Sequence, residues 1–172
     1  KAARTKRATK RTASRSRGSK SDAIRLLKED HQRVEQLFKE FENARRESQK
    51  ARLAEQICNE LKVHAQIEEE LFYPVMREAI KESDLIDEAA VEHATAKDLI
   101  SQIEKMSPGD ELFEAKVTVL GEYVRHHVKE EESEIFPRAR KSGVDLAAMG
   151  EQLMSRKQQL MNGASPMARP SI

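Results

Sequence analysis

Apolar residues recur every three or four positions along most of this chain, the spacing that places side chains on one face of an α-helix. The first apolar stripe follows two residues that can cap a helix, Ser21 and Asp22, and it ends near Arg46. The second stripe covers about residues 53–80, and Pro74 is expected to kink its last turns. Both segments are therefore predicted to be amphipathic helices.

The second half of the chain predicts two more long helices and one shorter helix. The third helix spans about residues 84–106 and stops at a Ser-Pro-Gly breaker at residues 107–109. The fourth covers about residues 110–143, and the short helix covers about residues 145–161. Four long amphipathic helices with short links predict an all-α fold. Its expected form is an up-down antiparallel four-helix bundle with a short extra C-terminal helix.

Charge divides the chain into unequal parts. Residues 1–20 contain nine Lys or Arg and no acid, whereas the rest of the chain carries 22 basic and 30 acidic residues. The basic arm cannot bury enough apolar surface to fold, so residues 1–20 are predicted to be disordered. The bundle is then expected at residues 21–142, and a C-terminal helix and tail at residues 143–172. The arm suits non-specific contact with nucleic-acid phosphates, and a solubilising terminus is the alternative.

Cysteine usage and hydropathy bear on location. Cys58 is the only cysteine, so no internal disulfide can form, and a reducing cytoplasm is the expected compartment. No apolar run approaches the roughly 20 residues that span a bilayer, so no membrane contact is predicted.

The sequence repeats itself. Residues 64–74 read HAQIEEELFYP and residues 127–137 read HVKEEESEIFP, with histidine, glutamates, an aromatic residue and proline at the same offsets. His31 precedes His64 by 33 residues, and His93 precedes His127 by 34 residues. The four histidines thus occupy equivalent positions in four helices. This pattern indicates a duplicated helical hairpin with approximate two-fold symmetry.

The repeated motif carries candidate metal ligands. A histidine and a glutamate four residues later share one helical face, as do His64 with Glu68 and His127 with Glu131. A glutamate that faces the core is costly unless it is paired or bound to a metal. A single histidine on an apolar face is more often a core residue, but four at equivalent positions indicate a shared site. The predicted metal ligands are His31, His64, Glu68, His93, His127 and Glu131. No separate catalytic residue is assigned.

The ligands in the fourth helix have an alternative. His126 with Glu130 shows the same spacing as His127 with Glu131, and it matches the histidine interval of the first half slightly better. The offset to the following proline and the apolar flanks favour His127. The remaining acids of the two motifs are expected to be solvated surface charges: Glu69, Glu70, Glu130 and Glu132. Tyr73 and Tyr123 are assigned to core packing, with hydrogen bonding near the site as the alternative.

The pattern H…HxxxE…H…HxxxE, followed by LFYP and IFP, resembles the hemerythrin-like family of HHE cation-binding domains over about residues 22–140. The resemblance implies a non-haem di-iron site with histidines as terminal ligands and the two glutamates as bridges. Oxygen-carrying members place a further histidine where this chain has Lys97. The site would then keep more open coordination, with Glu35 or water filling part of the gap. Open positions favour reaction with dioxygen, peroxide or nitric oxide over reversible oxygen carriage.

The expected cofactor is therefore a pair of iron ions, although zinc and manganese suit the same ligand set. The expected function is a protein that binds, senses or reacts with dioxygen, peroxide or nitric oxide, and enzymatic turnover is left open. The alternative is an iron storage, delivery or sensing module without turnover. Nucleic-acid contact through residues 1–20 is compatible with either function.

Overall fold

The computed structural model describes residues 22–163, and these residues form an all-α helical bundle without a β-strand. Seven α-helices and two π-helical turns follow one another: α1 Ala23–Asn43, α2 Glu47–Ile67, the first π-turn Glu68–Phe72, α3 Tyr73–Ala79, α4 Asp84–Ile103, α5 Phe113–Glu130, the second π-turn Glu131–Ile135, α6 Phe136–Lys141 and α7 Leu146–Gly163. The predicted all-α helical bundle is confirmed. The predicted disordered arm at residues 1–20 and the end of the tail lie outside the described residues.

The first helix begins where the capping residues predict. The Oδ1 atom of Asp22 accepts a hydrogen bond of 2.9 Å from the backbone N–H of Arg25, which satisfies one of the free donors at the helix start. The helix ends at Asn43, three residues before the predicted end, because Ala44 adopts an extended conformation. Arg46 instead precedes α2 as its N-cap residue.

The connection between α4 and α5 is longer than predicted. The backbone N–H of Ser107 donates to Oδ2 of Asp110 at 2.7 Å, and the N–H of Asp110 donates to the carbonyl of Ser107 at 2.9 Å. These bonds fix Asp110 in a turn, so it cannot begin the helix. Leu112 has a left-handed conformation with φ 68°, and α5 therefore starts only at Phe113.

Both π-turns occur just before a proline. The backbone N–H of Tyr73 donates to the carbonyl of Glu68, five residues earlier, and the equivalent bond closes the second π-turn. Pro74 follows at the start of α3, and a proline occupies the same place in α6. Proline cannot donate to the helical ladder and crowds the preceding turn. The disruption expected at Pro74 thus takes the form of a widened turn, and such turns are frequent at functional sites.

The long helices pack as neighbours in two hairpins, α1 with α2 and α4 with α5. Lys62 of α2 pairs with Glu104 at the end of α4, whereas Lys97 within α4 donates to Oε1 of Glu69 in the first π-turn at 2.7 Å. The later residue of the first segment, Glu69, thus meets the earlier residue of α4, Lys97, so α2 and α4 are antiparallel. Two apolar clusters fill the interior: one includes Leu27 and Phe72, and the other includes Leu37 and Ile57.

The extra helix α7 packs across α1, α2 and the first π-turn. Leu153 and Met149 are buried in the same apolar cluster as Leu27. At the edge of this contact, Arg156 donates to Oε2 of Glu70 at 2.6 Å, and Lys157 pairs with Asp30. The first hairpin therefore has a covered outer face. No helix within residues 22–163 is long and apolar enough to cross a membrane.

Cys58 lies in the second apolar cluster with 1% of its surface exposed. Burial, together with the charge of Glu104, raises the pKa of its thiol to about 12. Since the thiolate is the reactive form, we expect iodoacetamide at pH 8 to leave the native protein unmodified and to alkylate Cys58 fully in denaturant. Mass spectrometry distinguishes these states, and rapid alkylation of the native protein would contradict the buried position.

Candidate metal centre

The six predicted ligand residues form one polar layer between the two apolar clusters. Each has 8% or less of its surface exposed, and both glutamates are essentially inaccessible. His31 and His64 come from the first hairpin, and their Nε2 atoms lie 3.2 Å apart. His93 and His127 come from the second hairpin, and their Nε2 atoms are also 3.2 Å apart. The duplicated sequence thus produces two histidine pairs with the same distance between their Nε2 atoms.

Each glutamate lies between the two hairpins. Oε2 of Glu68 is 3.3 Å from Nε2 of His64 and 3.3 Å from Nε2 of His93. Oε2 of Glu131 is 3.2 Å from Nε2 of His31 and 3.8 Å from Nε2 of His127. Each carboxylate therefore reaches one histidine from each half.

The arrangement leaves carboxylate oxygens without hydrogen bonds. Oε1 of Glu68 and Oε2 of Glu131 are buried, and neither has a hydrogen-bond partner among the described residues. A buried, unpartnered oxygen is costly, and the cost is larger for a charged group. Ligand atoms of His31, His64, Glu68 and Glu131 lie within 4.8 Å of one another, and so do those of Glu68, His93 and His127. Imidazole nitrogens and carboxylate oxygens around two positions fit a pair of divalent metal ions.

A second set of carboxylates fixes the orientation of the histidine rings. In each ring the Nδ1 atom, on the side away from the layer, lies near a carboxylate oxygen. The pairs are His31 with Glu132 at 2.9 Å, His64 with Asp30 at 3.4 Å, His93 with Glu69 at 3.0 Å and His127 with Glu92 at 2.7 Å. A carboxylate only accepts, so each Nδ1 donates and the lone pair of Nε2 is left for a cation. Such partners commonly orient histidines that bind metals.

The prediction that all the remaining motif acids are solvated surface charges was wrong for Glu69 and Glu132. Each follows a candidate ligand glutamate directly, and each reaches a histidine of the other hairpin. The sequence contained a signal for this, since a second glutamate directly follows the candidate ligand glutamate in both motifs. Glu70 does lie at the surface, where hydrogen bonds from Arg156 lower the pKa of its carboxyl to about 2.

Protons balance the buried charge when no cation is bound. Burial alone would lower the pKa of His64, but the charge of Glu68 and the hydrogen bond to Asp30 raise it to about 10. The pKa of His93 is also raised, because contacts with Glu68 outweigh the effect of burial. Burial would raise the pKa of Glu68, but His64 and His93 hold it well below the usual carboxyl range. A cation that binds His64 must therefore displace a proton, so binding weakens as the pH falls.

Tyr73 contributes a hydroxyl group to the layer. Its oxygen lies 3.2 Å from Oε1 of Glu131, 3.4 Å from Oε2 of Glu68 and 3.3 Å from Nε2 of His93. Burial and the two glutamate charges raise the pKa of Tyr73 well above its ordinary value, so the phenol keeps its proton and donates it. The structure therefore supports the alternative interpretation of Tyr73, hydrogen bonding at the site. The equivalent residue of the second hairpin is Phe136, which stacks on His31 at a centroid distance of 5.8 Å.

A small cavity of about 40 Å³ adjoins all four histidines. Most of its other walls are apolar side chains of the four long helices: Val34, Leu61, Ala65, Ala96, Ile100 and Val124. A volume of roughly 10–15 Å³ accommodates one water molecule, so this cavity is large enough for a diatomic molecule or peroxide. Tyr123 lines the cavity but is 45% exposed, so it is not a core residue.

The structure distinguishes the two adjacent histidines of α5. The side chain of His127 is 10% exposed and belongs to the layer, whereas that of His126 is 61% exposed and lies outside it. Lys97 also lines the cavity, and its ammonium pairs with Glu69. Glu35 does not fill a position in the layer, because its carboxylate accepts a hydrogen bond of 2.9 Å from Arg125.

Helices that bury a two-fold related set of histidines and glutamates define a metal-binding helical-bundle protein. The chain matches the Hemerythrin HHE cation binding domain over residues 22–139, and it belongs to this family. A crystal structure of a Hemerythrin HHE cation binding domain-containing protein, the Rv2633c homolog from Mycobacterium kansasii, superposes with a TM-score of 0.72. That match has 26% sequence identity and covers 83% of this chain and 89% of the other.

A further relative is described as a DNA nickase of Nostoc sp. (strain PCC 7120). It is 35% identical over 115 residues, which is 67% of this chain but 32% of the relative. The chain therefore spans about a third of the length of this relative.

Proposed function

We propose that this chain is a non-haem di-iron protein that binds and reacts with dioxygen, peroxide or nitric oxide. The observation that carries the proposal is the position of Glu68 and Glu131, each within reach of one histidine from each hairpin, beside a small apolar cavity. In this proposal His31 and His64 would hold one ion, His93 and His127 would hold the other, and Glu68 and Glu131 would supply the carboxylate ligands. Zinc and manganese fit the same donors, so elemental analysis has to name the metal.

When bound, a pair of iron ions supplies open coordination positions and electrons for a small oxidant. The chain itself supplies the surroundings. The outer carboxylates hold the four rings with Nε2 towards the layer, and the apolar cavity excludes larger molecules. Tyr73 keeps a proton at its hydroxyl and donates it to a shared carboxylate. The ammonium of Lys97 is held by Glu69, so it does not replace the additional histidine of oxygen carriers.

Metal analysis of the purified protein and its visible spectrum test the proposal first. We expect about two irons per chain, in line with the two overlapping ligand groups. Reduced protein mixed with peroxide or nitric oxide should change its spectrum, and it should consume peroxide faster than the same amount of free iron. A folded protein that refuses ferrous iron would refute the proposal.

The alternative is an iron storage, delivery or sensing module, and the same peroxide measurement separates the two. Consumption no faster than that of free iron, at full metal content, would favour this module. A single cysteine cannot form an internal disulfide, which suits a reducing compartment, and we propose that the protein lies in the cytoplasm.

We also propose that residues 1–20 contact nucleic acid without reading its sequence. Nine basic residues support this contact, and so does the similarity to a protein described as a DNA nickase. Removal of residues 1–20 should abolish retention of the protein on DNA at low salt and leave the metal content unchanged. Equal retention with and without the arm would refute this contact.

A further inference from the structure

The outer faces of the two hairpins differ. In the first hairpin the Asp30 carboxylate accepts from His64 through one oxygen and pairs through the other with Lys157 of α7. The equivalent residue of the second hairpin is Glu92, whose Oε2 accepts from His127 at 2.7 Å. Its Oε1 lies 3.4 Å from Nε2 of His126. Where the first hairpin has a lysine ammonium beside the carboxylate, the second has the exposed imidazole of His126.

His126, Glu92 and Glu130 form a cluster at this open face. Nε2 of His126 is 3.3 Å from Oε1 of Glu130, and one ligand atom from each of the three residues lies within 4.8 Å of the others. The side chains of His126 and Glu130 are 61% and 46% exposed, so solvent reaches the cluster. One imidazole and two carboxylates suit a divalent first-row metal ion.

Only one half of the duplicated structure has these groups. The residues equivalent to His126 and Glu130 in the first hairpin are Val63 and Ile67, and both are buried. Ile67 belongs to the apolar cluster that includes Leu153 of α7. Within residues 22–163, α7 thus covers the first hairpin, while the same position in the second hairpin carries metal-binding side chains at the surface.

A narrow cleft lies between two residues of the cluster, Glu92 and Glu130, and the buried layer. It has a volume of about 10 Å³, and its outer walls include four glutamates: Glu88, Glu92, Glu130 and Glu134. Its walls also include His127 and Glu131. Glu131 is 1% exposed, and its Oε2 has no hydrogen-bond partner among the described residues. Glu134 is paired with Arg138, and the other acidic walls of the cleft raise the local concentration of cations.

We propose that His126, Glu92 and Glu130 capture a divalent metal ion at the surface and that the acidic cleft passes it to the buried layer. The Glu92 carboxylate contacts both His126 and His127, so a captured ion lies one carboxylate away from a ligand of the inner centre. This proposal rests on the proposed function of the layer as a metal centre. It adds a third, weaker site and assigns the direction from which the centre fills.

Cobalt(II) uptake by the full-length metal-free protein tests the proposal, because bound cobalt absorbs visible light. The double variant His126→Ala/Glu130→Gln should fill about tenfold more slowly than the wild type at low cobalt concentration. It should reach the same final content in the layer. Glu40→Gln, an exposed residue of α1 with the same loss of charge, is the matched control and should fill at the wild-type rate. Equilibrium dialysis should find a third, weakly bound cobalt ion in the wild type and no third ion in the double variant.

The outcomes separate this proposal from the one on which it rests. If the wild type takes up no cobalt in the layer, the metal centre itself is refuted. If the wild type and the double variant fill at the same rate, the centre stands and the capture site is refuted. A double variant that loses cobalt from the layer would also refute it, because His126 or Glu130 would then belong to the inner centre.

Discussion

Glu68→Gln should leave the protein folded and reduce its metal content from about two ions per chain to one or fewer. Glu68 is fully buried, and its Oε2 lies 3.3 Å from a histidine of each hairpin. A glutamine side chain has nearly the same shape, but it carries no charge and offers one oxygen in place of two. Elemental analysis gives the metal content, and circular dichroism checks that the helices remain.

Glu70→Gln is the matched control for this substitution. Glu70 lies two residues away and bonds Arg156 at the surface, where solvent screens the ion pair and its contribution to folding is small. The control should keep its full metal content. By the internal symmetry, Glu131→Gln should behave like Glu68→Gln. Full metal content in both variants would show that the glutamates of the layer are not ligands.

Leu153→Ala should lower the free energy of unfolding by about 2–5 kcal/mol. Leu153 is fully buried between α7 and the first hairpin, in the cluster that also contains Leu27 and Ile67. Removal of its side chain leaves a cavity that the surrounding helices fill only in part. Urea unfolding of the metal-free protein measures the change without a contribution from metal binding.

The adjacent residue Met154 provides the control, since it lies in the same helix and is 38% exposed. Met154→Ala should change the free energy of unfolding by no more than about 0.5 kcal/mol. If both variants were equally stable, α7 would be a loosely attached helix and not part of the core.

The sequence was sufficient for the fold class and for the four histidines and two glutamates that meet in the layer. Helical periodicity placed His64 and Glu68 on one face, and the repeat indicated that His127 and Glu131 do the same. These are properties of single helices, which local spacing determines. Helix ends were less predictable. The side chain of Asp110 accepts a hydrogen bond in the turn before α5, and this bond decided where α5 begins.

Contacts between helices could not be predicted in the same way. Glu69 follows a buried glutamate, so helical spacing points it away from the first hairpin, and only the neighbouring α4 brings His93 to it. Similarly, the position of α7 against Asp30 depends on how distant segments pack. Neither contact produces a periodic pattern in the sequence, although the acidic residues recur at the same offsets in both motifs.

Tyr73 and Phe136 occupy equivalent positions in the two hairpins, so the two halves of the site differ in polarity. The duplicated hairpins provide nearly equal ligands, but a hydroxyl group lies beside the pair His93 and His127, and a hydrocarbon ring lies against His31. Two metal ions held in these halves would therefore have different surroundings, one beside a proton donor and the other beside an apolar ring, so a molecule built by duplication would hold two chemically distinguishable ions.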